Sequence, residues 1–173
     1  MSICVKFKVA CALLLIFGAW HPAAVSRAGY SEFRMGAPAV VYRDDGTTKV
    51  SVKGNSVLVP VTLVHGSEEV EVELLLDTGA TRTVISTDVA DRLSINLGRE
   101  RRTKVQIVGG AVIDAHLVRV KSLSVGPHAK RNWDVVVVPH NGPVVEHDGL
   151  LGMDVLRDLR YRVDFKRKLI VWN

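Results

Sequence analysis

An aspartate at the end of an apolar run is the feature of this chain that could do chemistry. Residues 74–76 are three leucines that lead directly into Asp77-Thr78-Gly79, and a second β-prone run follows at residues 84–86. An ionised carboxylate held near an apolar interior costs several kcal/mol unless it accepts hydrogen bonds or shares a proton with a second acid. Asp77 is therefore a candidate for acid–base chemistry.

The same triplet has a simpler interpretation. Asp and Gly are ordinary turn residues, so a strand that stops at a solvated turn would also explain Asp-Thr-Gly. The strong apolar flanks on both sides of the triplet favour the chemical interpretation over the plain turn.

Two motifs together resemble a known family. Residues 75–81 (Leu-Leu-Asp-Thr-Gly-Ala-Thr) and residues 149–154 (Gly-Leu-Leu-Gly-Met-Asp) are similar to motifs of the retropepsin-like aspartic proteases, the single-lobed relatives of pepsin. The chain looks like the bacterial branch of that family over roughly residues 55–173. The resemblance implies a mostly β protomer, closed and barrel-like, with two short helices and with Asp77 as the catalytic residue.

Hydrolysis of a peptide bond without a metal or a nucleophilic side chain requires an activated water. Two carboxylates that share one proton can supply it, because one accepts a proton from water while the other donates to the carbonyl oxygen. The chain has one Asp-Thr-Gly and no Asp-Ser-Gly. A homodimer in which each chain contributes Asp77 across a twofold axis is therefore expected. The predicted function is an aspartic endopeptidase, and the alternative is a catalytically silent module of the same fold that binds peptides or scaffolds a complex.

The resemblance also implies roles for the residues around Asp77. Thr78 would hydrogen-bond to its mate in the partner chain, Gly79 would let the loop turn, and Ala80 stands where the family has Ala or Ser. The support beneath this loop would come from Leu150, Leu151 and Gly152.

A flap that closes over the substrate is expected at Gly109-Gly110, flanked by Val108 and Ile113. Two glycines at a hairpin tip tolerate positive φ and can move. A plain exposed hairpin turn is the alternative.

Other function classes have weaker support. The net charge is +5, but residues 29–173 carry only +2, and no basic run alternates with aromatics, so nucleic acid is not an expected partner. The cluster from Arg99 to Lys104 is explained by a solvated loop. The histidines, including His140 and His147, match no metal-ligand spacing, so neither a metal nor a cofactor is predicted.

The N-terminal region predicts export. Residues 1–28 have the basic, apolar and small-residue parts of a signal peptide and hold both cysteines, Cys4 and Cys11. Cleavage would give a periplasmic or secreted protein, whereas an uncleaved segment would anchor it to the membrane. Residues 29–54 are predicted as a linker and N-terminal hairpin around Asp45-Gly46, and could be a propeptide or a masking strand. Residues 55–173 are predicted as the protease domain.

Hydrophobic periodicity predicts the elements of that domain. Alternating apolar residues indicate strands at 57–63 and 70–76. Ser86 is a predicted N-cap for a helix through Leu93, and a second short helix is expected near residues 155–159. Further predicted strands lie at 103–108, 111–125, 133–138, 161–164 and 169–172, with the strand at 133–138 fully buried.

Overall fold

The computed structural model describes residues 46–107, 109–139 and 146–173. The predicted signal peptide, the first part of the 29–54 segment, Val108 and His140 lie outside the described residues, and those interpretations stay predictions. Among the described residues, no helix is long and apolar enough to cross a membrane.

The described part of the chain is mostly strand, with two short α-helices. The strands are β1 (Thr47–Lys49), β2 (Ser51–Lys53), β3 (Ser56–His65), β4 (Glu68–Leu76), β5 (Val84–Ser86), β6 (Arg101–Gln106), β7 (Val112–Val125), β8 (His128–Val138), β9 (Gly149–Leu151), β10 (Tyr161–Asp164) and β11 (Leu169–Trp172). The helices are α1 (Thr87–Arg92) and α2 (Met153–Leu156), and a 3₁₀ turn spans Leu97–Arg99. The predicted mostly β class with two short helices is confirmed.

Eight strands form one sheet in the order β2-β3-β4-β9-β5-β8-β7-β6, and β3 also pairs with β7. The ladders from β3 through β4, β9, β5, β8 and β7 therefore return to β3 as a closed circuit, in keeping with the predicted barrel-like arrangement. Two of these pairings are parallel, β4 with β9 and β5 with β8. The parallel pairings bring distant parts of the chain side by side at the ends of β4 and β5.

The circuit encloses the core. On β3, Val59, Val61 and Leu63 are fully buried, as the alternating pattern predicted. Burial of such side chains stabilises the fold by about 1.5–3 kcal/mol each. Helix α1 adds Val89, and its C-cap adds Leu93, both fully buried.

The second sheet has three strands in the order β1-β11-β10. Its C-terminal strand β11 is hydrogen-bonded on both edges by strands of its own chain. The Trp172 indole Nε1–H donates to Thr48 Oγ1 of the same sheet at 2.8 Å. The Trp172 ring also lies against Gly126, and this contact joins the sheet to the rest of the fold. The segment Thr47–Lys53 pairs with strands of the region predicted as the protease domain, through β1 with β11 and β2 with β3.

Helix α1 begins as the sequence predicts. The Ser86 side chain accepts a hydrogen bond from the Val89 N–H at 3.3 Å, and Asp88 lies in the first turn, where a negative charge is favourable. The helix ends at Arg92, with Leu93 as its C-cap.

Two predictions about particular segments were wrong. Arg101 and Arg102 lie on strand β6, which begins two residues before the predicted strand at 103–108, rather than in a solvated loop. The run at 133–138 is buried only at Val135–Val137, and Trp133, Asp134 and Val138 are partly exposed. Strand β8 also starts earlier, at His128, and forms a long antiparallel hairpin with β7.

Candidate active site

Asp77 lies where two parallel strands end together. In the β4–β9 pair Leu76 is opposite Leu151, and the next backbone N–H, that of Asp77, donates to the Leu151 carbonyl at 3.1 Å. The apolar run at 74–76 is therefore a strand of the closed circuit. Its last ladder bond holds the backbone of Asp77 at the sheet end.

The residues after Asp77 form a tight turn around its carboxylate. The Gly79 N–H donates to Asp77 Oδ1 at 2.8 Å, and the Ala80 N–H donates to the Asp77 carbonyl at 3.3 Å. Hydrogen bonds from backbone N–H groups to an ionised carboxylate are about twice as strong as neutral ones. Asp77 is half-buried, whereas Thr78 and Gly79 are exposed. One carboxylate oxygen is thus oriented by the turn, on a loop whose tip faces outward.

The second half of this loop is fastened to the start of α2. The Ala80 carbonyl accepts a hydrogen bond from the Met153 N–H at 2.8 Å. Thr83 is fully buried, and both its N–H and its hydroxyl donate to Asp154 Oδ1, at 2.9 and 2.8 Å. The same hydroxyl accepts from the Gly152 N–H at 3.2 Å. Two chain segments, the end of the Asp77 loop and residues 152–154, therefore meet at one buried side-chain hydroxyl.

Gly152 is required here by space. A Cβ at this position would overlap the carbonyl group of Arg82 and lie 2.8 Å from the Thr83 nitrogen. The Asp77 loop passes directly over Gly152, so any larger residue would push the loop away from β9. Leu150 and Leu151 lead into this contact from β9, where Leu150 is opposite Val84.

The hairpin predicted as a flap is formed by β6 and β7. At its tip the Ile107 N–H donates to the Ala111 carbonyl at 2.9 Å, and both Gly109 and Gly110 have positive φ, 95° and 87°. Ile113 is half-buried and lies opposite Val105. Among the hydrogen bonds of the described residues, none joins this tip to the Asp77 loop.

Sequence reasoning missed two apolar residues at this tip. Ile107, directly after β6, and Val112, the first residue of β7, are 45% and 56% exposed, unusual for large apolar side chains. Their positions next to the glycine turn were visible in the sequence, but their exposure was not. They give the hairpin tip an apolar surface.

Sequence reasoning also missed Thr83 and Asp154. Their hydrogen bonds join residues 71 positions apart, and neither residue stands out from ordinary polar neighbours in the sequence. The sequence analysis assigned no role to Asp148, yet its Oδ2 accepts from the Glu73 N–H at 2.8 Å and holds β4 beside β9. No group of three or more His, Cys, Asp or Glu side chains within the described ranges is placed to hold a metal ion.

A family model described as aspartyl protease matches residues 59–155, more than half of the chain, including both the Asp77 loop and the 149–154 motif. The chain belongs to the aspartyl protease family. A retropepsin-like aspartic protease from Rickettsia conorii has a similar structure, with a TM-score of 0.52 and 19% sequence identity. The match covers 72% of this chain and 86% of that chain. At that identity the likeness shows the fold, and the retropepsin-like fold predicted from the sequence is confirmed. Comparison with curated proteins gave no match.

Proposed function

We propose that this aspartyl protease family member is an exported aspartic endopeptidase that acts as a homodimer, with Asp77 of each chain forming the catalytic pair. The observation that carries the proposal is the position and orientation of the Asp77 carboxylate. Asp77 is half-buried at the end of two parallel strands, and one carboxylate oxygen is oriented by the Gly79 N–H at 2.8 Å.

The exposure of the loop tip supports the second half of the proposal. A chain with a single Asp-Thr-Gly can supply only one carboxylate, and Thr78 and Gly79 are exposed on the turn that carries it. A twofold partner that approaches this tip would bring a second Asp77 toward the first. Two carboxylates at close range do not both ionise readily, so the pair would share one proton.

The reaction then follows from that shared proton. The ionised carboxylate accepts a proton from a water between the two aspartates, and the water attacks the peptide carbonyl carbon. The protonated carboxyl donates its proton to the carbonyl oxygen as the tetrahedral intermediate forms. The β6–β7 hairpin lies between Asp77 and the 149–154 motif along the chain, and Ile107 and Val112 are exposed at its tip. This hairpin would act as the cover that excludes water from the bound peptide.

The test is replacement of Asp77 by Asn in the full chain. The amide keeps the size of the side chain and its carbonyl oxygen can still accept the Gly79 N–H, so the fold should survive. Turnover of a mixed peptide library should fall at least about a hundredfold, because general acid–base catalysis is lost. Asp91→Asn, at an exposed position on α1, is the matched control and should keep wild-type turnover.

Mixing the chains tests the dimer. Asp77→Asn protein added to a constant amount of wild type should lower the measured rate, because mixed dimers hold one carboxylate, whereas added Asp91→Asn should not. An unchanged rate after subunit exchange would contradict the shared site. A wild-type protein that binds peptides at the Asp77 loop without any turnover would instead support the silent binding module.

A further inference from the structure

Three arginines surround one carboxylate beside the Asp77 loop. Arg119 and Asp134 lie opposite one another in the β7–β8 pair and form a two-pronged ion pair, with Nε to Oδ1 at 2.7 Å and Nη2 to Oδ2 at 2.9 Å. Both carboxylate oxygens are engaged by this one guanidinium, so Asp134 has no oxygen free of Arg119.

Arg101 lies on the same face of the sheet. It is opposite Leu117 in the β6–β7 pair, and Leu117 is two residues from Arg119 on β7. Directly opposed residues and residues two apart on one strand share a face, so Arg101, Arg119 and Asp134 lie together. The intervening Val118 is fully buried, which places this face on the outside of the closed circuit.

Arg82 reaches the same place from the Asp77 loop. Arg82 precedes Thr83, whose carbonyl accepts from the Val136 N–H at 3.0 Å. Val136 is two residues after Asp134 on β8, so Arg82 lies beside the part of β8 that carries Asp134. The hydrogen bond from Arg119 lowers the pKa of Asp134 below its usual value, and the charges of Arg82 and Arg101 act in the same direction, against the effect of burial.

The arginine cluster, Arg82, Arg101 and Arg119 around Asp134, has excess positive charge. Asp134 is already bound at both oxygens by Arg119, and Arg82 and Arg101 are exposed. Arg82 ends the loop that begins at Asp77, and Arg101 begins the strand that leads to the hairpin tip. The cluster therefore lies between the end of the Asp77 loop and the base of the β6–β7 hairpin, the two segments that would border a bound peptide.

We propose that Arg82 and Arg101 form an acid-binding subsite that makes this chain favour peptides carrying Asp or Glu near the scissile bond. The proposal rests on the proposed function and adds a substrate class to it. Arg82 is five residues from Asp77, a backbone span of at most about 17 Å. An extended peptide advances about 3.3 Å per residue, so the acidic side chain should fall within about five positions of the cleaved bond.

The experiment compares matched peptides that differ only in Glu, Gln or Lys at one position, scanned over five positions on each side of the cleavage site. Wild-type kcat/KM should favour Glu over Gln by about threefold to tenfold at one or more positions, the scale of an accessible charge-assisted pair. The preference should shrink as salt rises. Arg82→Gln should bring the ratio toward one, and Arg82→Glu should shift the preference to Lys. Arg162→Gln, an exposed arginine on β10 in the other sheet, should keep the wild-type ratio.

The ratio of kcat/KM for the Glu peptide to that for the Gln peptide, measured on one enzyme, tests the subsite separately from the proposed endopeptidase function. Turnover with no Glu preference at any position, or a preference unchanged by Arg82→Gln, would overturn the subsite while leaving the endopeptidase intact. If wild type cleaves no peptide, the same pairs are measured by fluorescence anisotropy binding to the wild-type protein. Tighter binding of the Glu peptides, lost in Arg82→Gln, would then support the subsite alone, and equal binding would overturn it.

Discussion

Replacing Thr83 by Val tests the buried junction that holds the Asp77 loop. Val has the shape of Thr but lacks the hydroxyl that donates to Asp154 Oδ1 at 2.8 Å and accepts from the Gly152 N–H at 3.2 Å. Loss of a hydrogen bond to a charged group costs about 1.5–3 kcal/mol, and a buried N–H left without a partner costs about 1–3 kcal/mol. The two losses share one atom and are not additive, so the expected decrease in the free energy of unfolding is about 2–4 kcal/mol.

Thr83→Ser is the matched control. It keeps the hydroxyl and removes one buried methyl group, which should cost about 1 kcal/mol. Urea unfolding of the wild type and both variants, followed by far-UV circular dichroism, gives the three free energies by linear extrapolation. The expected order of stability is wild type, then Thr83→Ser, then Thr83→Val. If Thr83→Val is as stable as wild type, or more stable than Thr83→Ser, the hydroxyl does not hold this junction.

Two further predictions concern a glycine and a carboxylate. Gly126→Ala should lower the free energy of unfolding by about 3 kcal/mol, because Gly126 has φ of +52° and an added Cβ would overlap the Trp172 ring. Gly54→Ala has a similar φ, +56°, with open space around it and should cost only about 1 kcal/mol, so equal losses in thermal or urea unfolding would refute the packing argument. Partial burial, and then the neighbouring Glu73 charge, raises the pKa of Glu71. The folded state then holds the Glu71 proton more tightly than the unfolded chain, so this group makes stability fall as pH rises from the ordinary glutamate pKa through the raised one. The free energy of unfolding of Glu71→Gln, relative to that of wild type, should therefore be higher at pH 7 than at pH 4 by a few tenths of a kcal/mol. A lower value at pH 7 than at pH 4, measured by urea unfolding, would contradict the stated direction.

Local pattern was enough for much of the fold around the candidate site. The alternation along 57–63 and 70–76 predicted β3 and β4, since a strand with one buried face must alternate. The N-cap at Ser86 was predicted from a side chain that bonds within its own turn. The glycine tip at 109–110 was predicted for the same local reason, because positive φ favours glycine. Asp77 was singled out because its carboxylate follows an apolar run.

The tertiary structure alone decided which segments pair and what holds the loop. An extended segment offers the same backbone donors and acceptors to any partner, so the sequence of Thr47–Lys49 does not predict that it pairs with β11. The β7–β8 hairpin extended beyond the predicted buried run, because residues 128–131 pair along β7 without an apolar run of their own. The Thr83–Asp154 contact, and the arginine cluster around Asp134, join residues that are distant in the chain. Such contacts depend on the closure of the strand circuit, which fixes the distances between side chains that sequence spacing leaves free.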